Sequence, residues 1–402
     1  MATIPAERRE VAIAGTGPAG CALAIALARR GIRACVIEKE AGAGARPGEM
    51  LQPAARPLLA ELGLDLGDQP TAYGVSSSWE SEQLHENDFF FGTKGDGWLL
   101  DRDRFEATLR ATARDLGVAF VRDVPAATLL VDATGRAAAI ARARGAKRTV
   151  YDQLTGVFTL VDAQRPADRF TLVEAVENGW WYAASVAGGR MVVALMSDSD
   201  IIRRERLLDP ARWRAAFEAT RHARGRARDA ELRAPLRART ASSSLLEPVA
   251  GEGWLAIGDA ASMWDPLSAS GIYKALHNAL EAADAIAEGA IDAYARSVRT
   301  AFESYLQTRD AYYALVRRWP ESLFWQRRQH TITLDPAAML RTRDASRATL
   351  ARVDPRLRIE EIVALCRDAR PAHDIVAACA PRHGDARVIL ALQAMLREGV
   401  LV

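Results

Sequence analysis

The run Gly15-Thr-Gly17-Pro-Ala-Gly20 stands between a short apolar strand, Val11-Ala-Ile-Ala14, and a stretch of helical composition from Cys21 to Arg30. Three glycines at this spacing commit the segment to strand, tight turn and helix. Gly15 permits the turn, Gly17 lets the backbone approach a pyrophosphate, and Gly20 lets helix and strand pack closely. The helix N-terminus adds free N–H groups and a partial positive charge. Pro18 and Ala19 occupy the first helical turn, Gly31 stops the helix, and Ala34-Cys-Val-Ile37 forms the next strand. Glu38 closes that strand, where it accepts hydrogen bonds from an adenosine ribose, and Lys39 follows it. Strand, helix, Gly31 and Glu38 in register make a dinucleotide-binding βαβ unit, with Gly15, Gly17, Pro18, Ala19, Gly20, Glu38 and Lys39 as the expected cofactor contacts.

Composition removes several alternatives. Of 402 residues, 49% are hydrophobic and 26% charged, which excludes disorder. The formal charge is +2, and 51 acidic residues are interspersed with the 53 basic ones, so no nucleic-acid surface is expected. Cys21, Cys35, Cys366 and Cys379 show neither CxxC nor Cys/His ligand spacing, which indicates no metal site and no disulfide framework. Met1 to Glu10 has no apolar h-region and no long apolar run follows, so a cytoplasmic location without a membrane partner is expected.

Strands at Leu129-Leu-Val131 and Trp254-Leu-Ala-Ile257 and helices at Phe105–Leu116 and Gly271–Glu288 continue an α/β alternation. From Gly156 to Ser197 that rhythm breaks into strand-like runs, with Asn178-Gly179 and Gly188-Gly189 at hairpin positions. The fold class expected is α/β: a Rossmann-like cofactor domain (1–75, 98–150, 240–300), an inserted antiparallel sheet forming a substrate domain (76–97, 151–239), a helical segment (301–345) and a small C-terminal helical domain (346–402).

Two further motifs choose the cofactor. Val131-Asp-Ala-Thr-Gly-Arg136 follows one strand, and Gly258-Asp259-Ala-Ala-Ser-Met-Trp-Asp265-Pro266-Leu-Ser-Ala-Ser-Gly271-Ile272 follows another and leads into the long helix. With the glycine motif they resemble the FAD-dependent oxidoreductases of the glutathione-reductase superclass, in the branch of aromatic hydroxylases, flavin halogenases and geranylgeranyl reductases. The resemblance spans most of residues 10 to 330. It implies that Asp259 binds the ribityl or pyrophosphate part of FAD, that Arg102 lies near the cofactor, and that Pro266 to Ile272 runs beside the isoalloxazine. A helix beginning near Gly271 then points its positive end at the flavin pyrimidine and stabilises the reduced anion.

A narrower resemblance lies in Pro47-Gly-Glu49-Met-Leu-Gln-Pro53, Gly97-Trp98-Leu-Leu-Asp-Arg102, Gly179-Trp180-Trp181-Tyr182, Asp265 to Leu276, and Tyr312-Tyr313 with Arg318-Trp319-Pro320. These look like the flavoproteins that oxidise tryptophan during maturation of peptide-derived quinone cofactors. The resemblance implies a FAD-dependent monooxygenase in which O2 and reduced FAD give a C4a-hydroperoxide that hydroxylates a tryptophan-like side chain, on a peptide or protein substrate. NAD(P)H or a partner flavin reductase is the implied electron source. Glu49 is placed by the family as a proton acceptor, although a solvated loop carboxylate fits it equally. On a strand Trp180 and Tyr182 share one face and Trp181 the other, so at least one of the three is expected to wall a substrate pocket; sheet core is the competing role.

Halogenases of this branch carry a Trp-x-Trp-x-Ile-Pro segment and a lysine for hypohalous acid. Trp180-Trp-Tyr-Ala-Ala-Ser185 does not match, Lys94 sits in a glycine-rich loop, and Lys274 is expected to pack or pair locally. Halogenation therefore ranks second, beside a double-bond reductase and a non-catalytic flavoprotein binding subunit. His85 and His277 carry no catalytic spacing. A β-meander usual in relatives is shortened to Arg122–Thr128, which leaves room for a more exposed FAD or a completing partner. The tail from about Ala345 resembles a small winged-helix module of the kind that binds leader peptides or partner proteins; packing of its apolar helices on the catalytic body is the competing role.

Overall fold

The computed structural model describes residues 11–38, 49–92, 94–123, 127–165, 168–186, 189–229, 231–329, 336–343, 359–383, 385–397 and 400–402. Its first layer is a six-stranded sheet ordered Ala250–Gly251, Trp254–Ala256, Leu129–Asp132, Val11–Ala14, Ala34–Ile37, Ala119–Val121. All neighbours run parallel except the terminal hairpin at Gly251 and Trp254. Val11–Ala14 lies in the middle and every residue in it is buried, which is why it reads as an unbroken apolar run rather than an alternation. Helix Pro18–Arg29 follows it. Residues Ala19 to Leu27 are all buried, because helices Arg102–Asp115 and Gly271–Glu288 cover it on both sides.

The second layer is a seven-stranded sheet ordered Arg237–Thr240, Leu154–Asp162, Arg190–Asp198, Gly179–Val186, Phe170–Val176, Gly74–Ser78, His85–Asp88. It is antiparallel apart from one pair, Phe170–Glu174 with Gly74–Ser78, which runs parallel. The expected hairpin at Asn178-Gly179 forms with Glu177 and Asn178 in the turn and Gly179 opening the next strand at φ +149°. A side chain at Gly179 would stand 2.1 Å from the Met196 carbonyl oxygen, so only glycine fits. Gly188 of the other expected turn lies outside the described residues.

Directly opposed residues share a face. Trp180 pairs with Met196 and Tyr182 with Ala194 and Val173, whereas Trp181 pairs with Leu195 and Glu174. The Trp181 face is closed by helix Pro210–Glu218, whose Trp213 and Phe217 rings lie 5.1 and 5.4 Å from Trp181. The Trp180 face packs in a cluster with Trp79, Tyr313 and Trp325. Two three-stranded sheets stitch the layers together: Glu49–Leu51, Gly97–Leu100 and Thr71–Ala72, and Lys147–Val150, Ser244–Glu247 and Ser262–Met263.

Helix Ile291–Ala314 runs back along both layers and is followed by helix Leu323–Gln329. The C-terminal module holds helices Ile359–Leu365, Ala372–His383 and Asp385–Arg397 around a core of its own that includes Ile362, Ile375, Val388, Leu392 and Met395. Its small sheet pairs Met339–Leu340 with Arg370–Pro371, and Thr342 bridges to Leu401, so the module takes in residues ahead of position 346. Among the described residues no helix is long and apolar enough to cross a membrane.

Because Trp181 is packed between two aromatic rings, Trp181→Ala should destabilise the protein by about 3–5 kcal/mol through transfer and cavity terms. Urea unfolding measures it, and a loss below about 1 kcal/mol would show that this face is not core.

Candidate functional site

The glycine turn is built by close backbone approach. Gly15 has φ +126°, and a side chain there would lie 2.3 Å from the Ala133 carbonyl oxygen. One at Gly20 would lie 2.0 Å from the Gly15 oxygen. Gly17 is different: nothing stands within 4 Å of the position a Cβ would take. Open space therefore lies in front of the first helix, whose N-cap position, Gly17, makes no side-chain cap bond and whose first turn carries no acidic residue. This cradle suits a pyrophosphate. Pro18 and Ala19 stand in that first turn, and Gly258, at φ +58°, comes so close to the Ala19 methyl that a Cβ would be 2.7 Å from it.

Asp132, which the sequence reading quoted only within a motif, shapes the floor. Its buried carboxylate accepts from the Thr134 amide (2.9 Å), the Thr134 hydroxyl (2.6 Å) and the Ala141 amide (2.8 Å), fixing the turn that presents Ala133 to Gly15. Glu38 stands at the end of its strand with Arg114 3.9 Å away, and Arg114 in turn lies over the Phe120 ring. Lys39 lies outside the described residues.

Beside the cradle, charges converge. Lys274 Nζ is 3.1 Å from Asp259 Oδ1 and also donates to the Ser262 carbonyl; the lysine side chain is 3% exposed and the aspartate 41%. Burial works to raise the Asp259 pKa, but Lys274 and Arg136 outweigh it and hold the carboxyl below its usual range, with Arg102 adding to them. Burial lowers the Lys274 pKa and Asp259 opposes it. Arg239 has its pKa lowered by burial and by repulsion from Arg136, Arg237 and Arg102. Such like-charged crowding beside an open glycine turn fits a diphosphate. Arg148 donates to the Asp259 and Ala260 carbonyls at 3.0 and 2.6 Å and so sets the backbone of this turn.

The next segment forms a rigid loop. Asp265 caps the single 3-10 turn Pro266–Ser268 by accepting from the Leu267 amide at 2.9 Å, and Ala269 takes a left-handed φ of +46°. Gln52 Nε2 donates to the Ser268 carbonyl at 2.7 Å. Helix Gly271–Glu288 then begins with no side-chain cap and no acid in its first turn; Gly271 is exposed and Ile272 buried. Its positive end is left for a ligand to compensate. Asp265 is buried, and burial together with Asp152 pushes its carboxyl up to about 6 against the opposing Leu267 amide, Tyr313 hydroxyl and Arg309.

The structure thus brings Gly15, Gly17, Pro18, Ala19, Gly20, Arg102, Asp259, Pro266, Gly271 and Ile272 to one side of the molecule. It sets Trp181 apart from Trp180 and Tyr182. Tyr182 is half-buried in the same apolar cluster as Leu267 of the loop. Trp180 is fully buried and its indole donates to the Tyr313 hydroxyl at 2.9 Å. Trp181 lies on the far face and is core, because strand alternation turns it toward Trp213. Glu49 stands opposite Leu100 in its strand. Lys94 and His85 are exposed, and His277 lies 3.9 Å from Glu281 on the helix surface. No group of metal-ligating side chains occurs among the described residues.

A family described as FAD binding domain matches residues 8–155. The chain is an FAD-dependent oxidoreductase. It is 27% identical over 83% of its length to the whole of a putative FAD-dependent oxidoreductase, LodB, of Marinomonas mediterranea. Among solved structures it is similar to the flavin-dependent halogenase CmlS, at 19% identity and TM-score 0.72 over 98% of this chain and 96% of that one. It is likewise similar to the peptidyl tryptophan dihydroxylase QhpG, at 22% identity and TM-score 0.67 over 97% and 99% of the two chains. Both structural likenesses show the shared fold.

Gly17→Val should weaken FAD binding by at least about tenfold while the apoprotein keeps its thermal midpoint, since the added side chain enters open space rather than protein. Quenching of FAD fluorescence on titration measures this, and undiminished affinity would remove the pyrophosphate from the cradle.

Proposed function

We propose that this flavoprotein is a monooxygenase that hydroxylates an electron-rich, tryptophan-like aromatic side chain presented on a peptide or protein. The observation that carries the reading is the apolar surface around the loop after Asp265. Leu267, with Tyr182, Met196 and Val75 of the second layer, packs against the buried cluster of Trp180 and Tyr313, and Ala269, with Phe89 and again Val75, packs against Met50, Ala72 and Leu99. Such a surface suits an aromatic ring and excludes water from the reacting centre. Among the described lysines, Lys94 and Lys147 are exposed and Lys274 is held by Asp259 and the Ser262 carbonyl. That favours oxygen transfer over halogenation.

FAD, once reduced by NAD(P)H or by a separate flavin reductase, supplies activated oxygen from O2. The chain's own residues bind and orient. The first helix end at Gly17, opened by the turn that Gly15 and Gly20 make, would receive the pyrophosphate, Glu38 would meet the adenosine ribose, and Arg102, Arg136 and Asp259 the stretch between pyrophosphate and ribityl. The amides opening helix Gly271–Glu288 favour negative charge at the adjoining ring edge. Tyr182 and Val75 orient the substrate ring, and Glu49 accepts the proton lost when the ring regains aromaticity. The C-terminal module, with its separate core, serves peptide recruitment. QhpG, with which the fold is shared over nearly the whole length, is a peptidyl tryptophan dihydroxylase, and this supports a peptide-borne substrate.

Halogenation is the second reading, favoured by the likeness to CmlS. Tryptophan-containing peptides incubated with the protein, FAD, NADH, a flavin reductase and bromide separate the two by mass spectrometry. Addition of oxygen without bromine is the expected result; a brominated product would replace this reading by the second.

A further inference from the structure

A chain of hydrogen bonds crosses from the second layer to the loop after Asp265 and has a fixed direction. Trp180 Nε1 lies 2.9 Å from the Tyr313 hydroxyl, and that hydroxyl lies 2.7 Å from Asp265 Oδ2. An indole N–H only donates. The Tyr313 oxygen therefore accepts from Trp180, and its own proton points at Asp265. On the other carboxylate oxygen the Leu267 amide donates at 2.9 Å, and the Asp265 amide itself donates to the Tyr305 hydroxyl at 2.6 Å. All these groups are matched when Asp265 is ionised. When Asp265 is protonated, its O–H turns toward Tyr313, whose proton must then face the Trp180 N–H, two donors against each other in a dry site.

We infer that Trp180 and Tyr313 are positioning residues that hold Asp265 ionised and thereby lock the loop Pro266–Gly271, so that protonation of Asp265 releases the loop. The three residues come from three different elements: the strand Gly179–Val186, the helix Ile291–Ala314 and the loop itself. Other groups that face this point are few. Asp152 and Arg309 pair with each other at 2.8 Å, Arg309 also reaches the Ser243 hydroxyl that shares a hydrogen bond with Tyr305, and Arg328, paired with Asp198, lies 5.2 Å from the Tyr313 ring centre. Trp79 and Trp325, which do not titrate, close the remaining sides of Tyr313. With burial and Asp152 raising the carboxyl, and the Leu267 amide, the Tyr313 hydroxyl and the Arg309 charge lowering it, the release falls at about pH 6. Removing the Tyr313 hydrogen bond moves it upward.

The test reads the bound flavin and not turnover, so it stands apart from the hydroxylase reading. The visible absorbance and fluorescence of FAD on the holoprotein are titrated from about pH 5 to pH 8. The native protein should show one reversible transition near 6; Trp180→Phe and Tyr313→Phe should shift its midpoint upward, and Asp265→Asn should abolish it. An unshifted or lowered midpoint in Trp180→Phe, or a transition that persists in Asp265→Asn, overturns the proposal. If Asp265→Asn does not retain flavin, the infrared carbonyl band of the protonated carboxyl, titrated in native, Trp180→Phe and Tyr313→Phe apoprotein, makes the same decision: an upward shift supports the lock and none overturns it.

Discussion

A Cβ on Gly20 would sit 2.0 Å from the Gly15 carbonyl oxygen, one on Gly15 2.3 Å from the Ala133 oxygen, and one on Gly258 2.7 Å from the Ala19 methyl. At these three points the first strand, the first helix and the two later motif turns approach more closely than side chains permit. The approach brings Asp132 and Asp259, far apart in the chain, under one helix end. It also leaves Gly17 facing space rather than protein. The remaining architecture serves that space: the parallel sheet fixes where its strands end, and helix Gly271–Glu288 packs along the first helix, so two helix N-termini open on the same side.

Electrostatics follow from this packing. The buried Lys274 ammonium is tolerable only because Asp259 and the Ser262 carbonyl meet it, and removing one partner of such a pair typically costs 3–5 kcal/mol. Asp259 can then face both the lysine behind it and a ligand in front. Helix Ile291–Ala314 plays a comparable part for the loop. Tyr305 stacks on Trp264 with ring centres 4.7 Å apart and accepts from the Asp265 amide, while Tyr313 donates to the Asp265 carboxylate and accepts from the Trp180 indole. A single helix thus ties the second sheet to the loop after Asp265.

How far the sequence foretold this depends on the distance over which each feature is encoded. The glycine turn and the division of Trp180 from Trp181 rest on neighbouring residues, and local stereochemistry decides them. The long-range hydrogen bonds that organise the loop join residues 40 to 216 positions apart, as between Asp265 and Tyr305 or Gln52 and Ser268, and no spacing rule announces them. Arg148, in a strand that reads as a polar edge, and Arg239, at the border of the second sheet, reach the site only through the tertiary fold. The same holds for the parallel pairing of Gly74–Ser78 with Phe170–Glu174, since sequence alternation does not reveal strand direction. Alternation tells the faces of Trp180, Trp181 and Tyr182 apart but leaves pocket wall and sheet core open for each; that the Trp180 indole is engaged by Tyr313 depends on a helix more than a hundred residues later.

The account stands on one cofactor seat formed by backbone approach. Calorimetric titration of the apoprotein with FAD tests it most directly. One FAD per chain, taken up without change in the far-ultraviolet circular dichroism, is the predicted result; a folded apoprotein that takes up no FAD would contradict it.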